Sequence, residues 1–166
     1  MGCPPHTGCD WSAQRLAQLD AIIAGYARFP RWAFKDPRTL YTLEGWLERL
    51  PEMRFIASFR HPMAVARSLL LRAGGGDLDR YIALWTAYNR RLIECHDRFG
   101  FELVCFDLAP TAYLEQVRAC ARRLGLEPGA LTFFDPGLRN QGEAERHRLP
   151  PGTEGLYRAL KERASR

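Results

Sequence analysis

Residues 54–68 read Arg-Phe-Ile-Ala-Ser-Phe-Arg-His-Pro-Met-Ala-Val-Ala-Arg-Ser, and no other stretch restricts the fold as much. Residues 55–59 are a short, mostly apolar run of strand formers. The strand is predicted to stop at Arg60, turn at His61-Pro62 and pass into a helix. Pro62 suits the first helical turn, where its missing N–H would have had no partner anyway. Ser68 then lies about two turns into the helix. A strand that runs straight into a helix offers backbone N–H groups and a positive dipole end, a good place for a phosphate. Arg60 stands at the mouth of that turn, and its guanidinium can hold a phosphate by two parallel hydrogen bonds. The same residues also describe a plain strand–helix junction whose arginine makes only a surface salt bridge.

The rest of the chain alternates in the same way. Residues 1–10, with two prolines and two glycines, read as irregular. Ser12 caps a helix predicted over 13–28, with Leu16, Leu19, Ile22, Ile23 and Tyr26 at the spacing of one buried face. Residues 31–35, Arg-Trp-Ala-Phe-Lys, read as a short strand that Pro37 ends. Helices follow over about 40–50, from Pro62 to the Gly74-Gly75-Gly76 break, and over 77–98 with Tyr81, Leu84, Trp85, Tyr88 and Leu92 as its stripe. Gly100 separates the last of these from a strand over 101–106. A further helix runs from near Pro110 to Leu124, with Gly125 as its stop. A final helix begins near Thr153.

Strands alternating with long helices predict an α/β fold with a parallel sheet flanked by helices. The whole chain, 1–166, reads as one such domain. Ligands of such sheets bind at the C-terminal ends of the strands. Lys35 and Arg60 both fall at predicted strand ends, so parallel strands would set both cations on one rim. That pattern suits an anionic ligand with more than one charged group.

Charge narrows the partner further. The net charge is +5, and of 24 basic residues all but Lys35 and Lys161 are arginine. The arginines are scattered, which argues against a nucleic-acid groove and allows a site for a small polyanion. Lys161 reads as ordinary surface charge in a polar helix, whereas Lys35 does not. No apolar run approaches the length needed to span a bilayer, and the first residues show no secretory signal. Met-Gly at the start lacks the Ser or Thr of a myristoylation site, because position 6 is His6. Cys95, Cys105 and Cys120 fall in apolar contexts and read as small buried hydrophobes of a reducing, cytoplasmic compartment. Cys3, His6 and Cys9 provide three metal ligands where a structural zinc site wants four, so no metal is expected.

Several segments together resemble a family. Trp32-Ala-Phe-Lys-Asp-Pro-Arg-Thr39 is similar to the W-x-x-K-D-P-R-T segment of bacterial sulfotransferases that use 3′-phosphoadenosine 5′-phosphosulfate (PAPS). Arg60 to Ser68 resembles the family's 3′-phosphate motif, R-[ND]-P-x-x-x-x-x-S, with His61 for Asn or Asp. Trp85 and Tyr88-Asn89 resemble W-x-x-Y-N, and Val104-Cys-Phe-Asp-Leu108 resembles V-x-Y-E-D-L. Arg123-Leu-Gly-Leu126 and Phe134-Asp-Pro-Gly-Leu-Arg139 complete the series, which covers about residues 30–160.

The resemblance implies a P-loop-like α/β fold and transfer of a sulfuryl group from PAPS to a hydroxyl or amine of a small-molecule or glycan acceptor. It implies that Arg60 and Ser68 bind the 3′-phosphate of this co-substrate. Lys35 would stabilise charge on the bridging oxygen or position the acceptor. Asp36 would take the acceptor proton, or else pair with Arg38 and cap the following turn. No metal, nucleic acid or membrane is implied. The family's glycine-rich loop for the 5′-phosphosulfate does not occur in the 34 residues before Lys35, so the sheet is expected to be incomplete at the N-terminus. Three explanations stand open: a truncated copy, a complementing N-terminal chain that supplies the loop, or a non-catalytic nucleotide- or anion-binding remnant. The abrupt start of the match favours the first.

Overall fold

The computed structural model describes residues 11–129, 134, 135, 137 and 149–165. The chain divides into two compact units, Met1–Met53 and Arg54–Arg166.

In the first unit, helix α1 (Ala13–Tyr26) starts at Ser12, whose hydroxyl accepts the Arg15 N–H at 3.4 Å. Leu19 is buried, while Ile22 and Tyr26 are about half exposed at 47% and 45%, so the predicted face is only partly covered. A 3-10 turn over Pro37–Tyr41 leads into α2 (Leu43–Arg49). The indole of Trp11 lies where a side chain on Gly45 would have to be, which keeps that position a glycine. An ion pair from Arg49 Nε to Asp20 Oδ1, at 3.0 Å, ties α2 to α1.

The strand expected over 31–35 does not form: residues 32–36 have no regular structure. A strand requires a neighbour to complete its backbone hydrogen bonds. Here the side chains find partners instead. Trp32 stacks on Tyr26 with ring centroids 5.0 Å apart, and Phe34 packs on Trp46 at 4.5 Å. The β-forming composition of this stretch serves an aromatic row on α1 and α2. Lys35 therefore does not stand at a strand end, and the expectation of two cations on one sheet rim loses its basis.

In the second unit, β1 (Ile56–Phe59) and β2 (Glu102–Cys105) form a two-stranded parallel sheet in which Ile56 pairs with Glu102 and Phe59 with Cys105. The fold is thus mixed α/β, mostly helical, with two strands among the described residues where three were expected. Two helices, α3 (Pro62–Arg72) and α4 (Leu78–Phe99), connect the strands, as parallel pairing demands. Met63 and Ala66 of α3 pack with Ile82 of α4 and with Leu149 in a core cluster. The buried residues of α4 are Ile82, Trp85, Asn89, Leu92 and Cys95. This stripe shares Trp85 and Leu92 with the predicted one. Tyr81 and Tyr88 lie at its half-buried margin, which suits a ring with a polar tip.

The predicted stops are formed as expected. Gly100 ends α4 at φ 64, and His96 Nδ1 lies 2.8 Å from the Phe101 carbonyl just beyond it. After α5 (Pro110–Arg123), Gly125 at φ 70 closes a left-handed cap in which the Leu126 N–H reaches the Ala121 carbonyl at 2.9 Å. Gln116 of α5 then joins three elements. Its amide oxygen accepts the Cys105 N–H at 2.9 Å, and its NH2 donates to the Ala164 carbonyl at 2.7 Å. The last helix, α6 (Pro151–Ala164), is anchored by the fully buried Leu160 and by a two-pronged Arg163–Asp97 pair at 2.8 Å. Burying Leu160 stabilises the fold by about 1.5–3 kcal/mol. Cys95, Cys105 and Cys120 are buried, as expected. Among the described residues, no helix is long and apolar enough to cross a membrane.

Candidate functional site

The C-terminal ends of β1 and β2 carry Arg60-His61 and Phe106-Asp107, and these four residues form one site with Tyr157 of α6. The ladder extends one step past the strands, with the Phe106 N–H donating to the Phe59 carbonyl at 3.0 Å. This register brings Arg60 and Asp107 together.

Arg60 is held on several sides. Its carbonyl accepts the indole N–H of Trp85 at 3.0 Å, so the buried face of α4 fixes the strand end. Its Nε lies 3.6 Å from Asp107 Oδ1, with the two side chains 20% and 25% exposed. Its guanidinium carbon sits 5.3 Å from the centroid of the Phe106 ring, within cation–π range. An arginine restrained in this way loses little further freedom when it binds.

Asp107 is the hub of the site. Its Oδ2 accepts the His61 backbone N–H at 2.5 Å and the Tyr157 hydroxyl at 3.0 Å. Around Tyr157, the ring of His61 packs edge-on at 5.1 Å and Trp85 at 6.3 Å, and the Lys161 ammonium lies 4.8 Å from the ring centroid. Burial, and next the nearby Asp107 carboxylate, hold the Tyr157 phenol far above its ordinary range. The phenol therefore stays a donor at any pH near neutrality. Its raised value in the fold makes this contribution to stability complete below the ordinary phenol value of 10.0 and steadily lost as pH rises above it. Alkaline melting curves should show this loss, and Tyr157→Phe should flatten it.

The start of α3 differs from the open helix end expected for a phosphate. Pro62 has no N–H, and Met63 donates its own to His61 Nδ1 at 3.3 Å. The His61 N–H is taken by the Asp107 carboxylate. An anion of the protein itself thus occupies the head of the helix.

The four residues singled out in the sequence fall in two places. Arg60 is in the site just described. Ser68 lies in the second turn of α3, seven residues after His61 and hence on the same helical face, half-buried. Lys35 and Asp36 belong to the first unit. Lys35 is exposed. Of the two readings open to Asp36, the cap and ion pair are what forms. Its carboxylate accepts the Arg38 N–H at 2.8 Å and the Arg38 side chain at 2.6–3.1 Å. The Arg38 guanidinium, and next the Arg38 N–H, lower the Asp36 pKa from 3.8 to about 2. A nuclear magnetic resonance titration should find this carboxyl protonating near 2. Its contribution to stability is complete above 3.8 and lost as pH falls through about 2.

From the sequence, Asp107 appears only within the Val104–Leu108 resemblance, Tyr157 carries no site expectation, and Lys161 reads as surface charge. Asp107 directly follows a predicted strand, so the rule that singled out Arg60 also pointed to it. Tyr157 and Lys161 come from a helix distant in sequence, with no local signal. Among the described residues, no group of three or more His, Cys, Asp or Glu comes together that could hold a metal ion. Cys3, His6 and Cys9 lie outside the described residues, as do residues 136, 138 and 139.

No protein-family model, no curated protein and no solved structure matches this chain.

Proposed function

We propose that this chain binds the 3′-phosphate of 3′-phosphoadenosine 5′-phosphosulfate and takes part in sulfuryl transfer to a small-molecule or glycan acceptor. The observation that carries the proposal is the restraint of Arg60 at the mouth of a parallel βα junction, by Trp85 and Phe106. A fixed guanidinium fork suits a phosphate dianion, and a 3′-phosphate separates this co-substrate from ordinary adenine nucleotides. Ser68, two turns along the same face of α3, supplies a hydroxyl donor. The P-loop-like character of the sheet belongs to this proposal. So does a complementing chain that brings the glycine-rich loop for the 5′-phosphosulfate.

In transfer, the bond from sulfur to the bridging oxygen breaks and a bond from sulfur to the acceptor oxygen or nitrogen forms. The products are 3′-phosphoadenosine 5′-phosphate and the sulfated acceptor, and the acceptor gives up a proton. Only the resemblance of the Trp32–Thr39 segment supports charge stabilisation on the leaving oxygen by Lys35. Asp36 is a poor proton acceptor while Arg38 holds its pKa near 2. That commitment favours a second reading, in which the chain binds the nucleotide without performing transfer itself.

Calorimetry with 3′-phosphoadenosine 5′-phosphate and adenosine 5′-phosphate tests the binding proposal. The 3′-phosphorylated nucleotide should bind at least tenfold more tightly, on the order of one charged hydrogen bond. Equal affinities would sink it. Sulfated product formed only when a loop-bearing partner chain is added, and lost in Lys35→Ala, would support transfer over binding alone.

A further inference from the structure

We infer that Asp107 is an internal competitor for the anion site, a carboxylate that sets the affinity and charge selectivity of the pocket around Arg60. The inference rests on the proposed binding of a phosphate by Arg60.

Three observations carry it. Asp107 Oδ2 holds the His61 N–H at 2.5 Å, at the head of α3, where a bound phosphate would take its backbone donor. Asp107 Oδ1 lies 3.6 Å from Arg60 Nε, against the cation that a phosphate would engage. Tyr157 donates to the same carboxylate at 3.0 Å and so helps to hold it in place. The carboxylate thus occupies both electrostatic attractions that a phosphate needs.

Asp107 has two opposed effects on a ligand, and distance decides between them. As a support it would orient Arg60, but 3.6 Å is longer than a hydrogen bond. The indole of Trp85 and the ring of Phe106 restrain Arg60 independently of Asp107. As a charge it acts on an anion arriving a few ångströms away without needing hydrogen-bond contact. Repulsion therefore outweighs orientation, and the site discriminates against weakly charged anions. A ligand with enough charge to win Arg60, aided by Lys161, displaces Asp107. A monoanion does not.

The test uses the full chain at low salt with 3′-phosphoadenosine 5′-phosphate as probe. Asp107→Asn keeps acceptors for His61 and Tyr157 but removes the charge, and it should bind about three- to tenfold more tightly than wild type. Tyr157→Phe removes one donor that seats the carboxylate, and should tighten binding about twofold. Inorganic sulfate, which would engage the same Arg60 and His61 groups, should also bind more tightly to Asp107→Asn. If Asp107→Asn binds equally or more weakly while Arg60→Ala still loses affinity, the competitor role is wrong and the Arg60 site stands. If Arg60→Ala binds like wild type, the site itself fails and this inference with it. Should Asp107→Asn show no cooperative melting, Tyr157→Phe decides, and unchanged or weakened binding there overturns the inference.

Discussion

Arg60→Ala is expected to weaken binding of 3′-phosphoadenosine 5′-phosphate by about 10- to 150-fold, the worth of one or two hydrogen bonds to a charged group, 1.5–3 kcal/mol. The same change should leave binding of adenosine 5′-phosphate almost untouched, because that nucleotide lacks the 3′-phosphate. Arg60→Lys separates charge from geometry. It keeps the cation but loses the planar fork, so it should recover only part of the affinity. Neither variant should cost much stability. The Arg60–Asp107 contact is 3.6 Å long and partly exposed, which places it near the weak end of ion pairs, about 1 kcal/mol or less. A drop in affinity without a matching drop in melting temperature marks Arg60 as a ligand-binding residue. Equal losses of both would show that Arg60 mainly supports the fold, and equal affinity in Arg60→Ala would remove it from the site.

Much of the second unit could be read from the sequence because its signals are local. Pro62 begins α3, Gly100 and Gly125 end α4 and α5 in the left-handed conformation, and the apolar runs at 55–59 and 101–106 became β1 and β2. Each of these depends on residues within a few positions of one another. The stretch 31–35 departs from the expected strand for the opposite reason. Its aromatic residues suit a strand or an aromatic cluster equally well, and the choice was made by Tyr26 and Trp46, which its own composition does not reveal. The difference reaches the site, because only that strand would set Lys35 on the sheet rim. Of the site itself, Arg60 was legible as a cation at a strand end. The carboxylate against it was not, since Asp107 meets His61 across 46 residues and Tyr157 across 50. An anion-binding motif read along the chain therefore shows the cations and omits the internal anion that opposes them.

Trp85→Ala should be the most damaging single change in the second unit, costing about 3–5 kcal/mol. The indole is 4% exposed on the central face of α4, so truncation leaves a cavity that neighbouring side chains fill only in part. It also strands the Arg60 carbonyl, which accepts the indole N–H at 3.0 Å. Against a domain stability of about 5–15 kcal/mol, such a loss can leave a large fraction of the chain unfolded at 37 °C. Trp85→Phe is the more informative variant. It retains most of the ring volume and removes only the N–H, at an expected cost of about 1–3 kcal/mol for the buried carbonyl left without its donor. Because that carbonyl belongs to Arg60, the loss should also appear in binding, as a two- to fivefold weaker affinity for 3′-phosphoadenosine 5′-phosphate from an arginine held less firmly. Urea unfolding measures the first effect and calorimetry the second. A Trp85→Phe variant that is destabilised yet binds like wild type would show that the indole supports the core alone. Weakened binding in a well-folded variant would show that the core of α4 also holds Arg60 ready for its ligand.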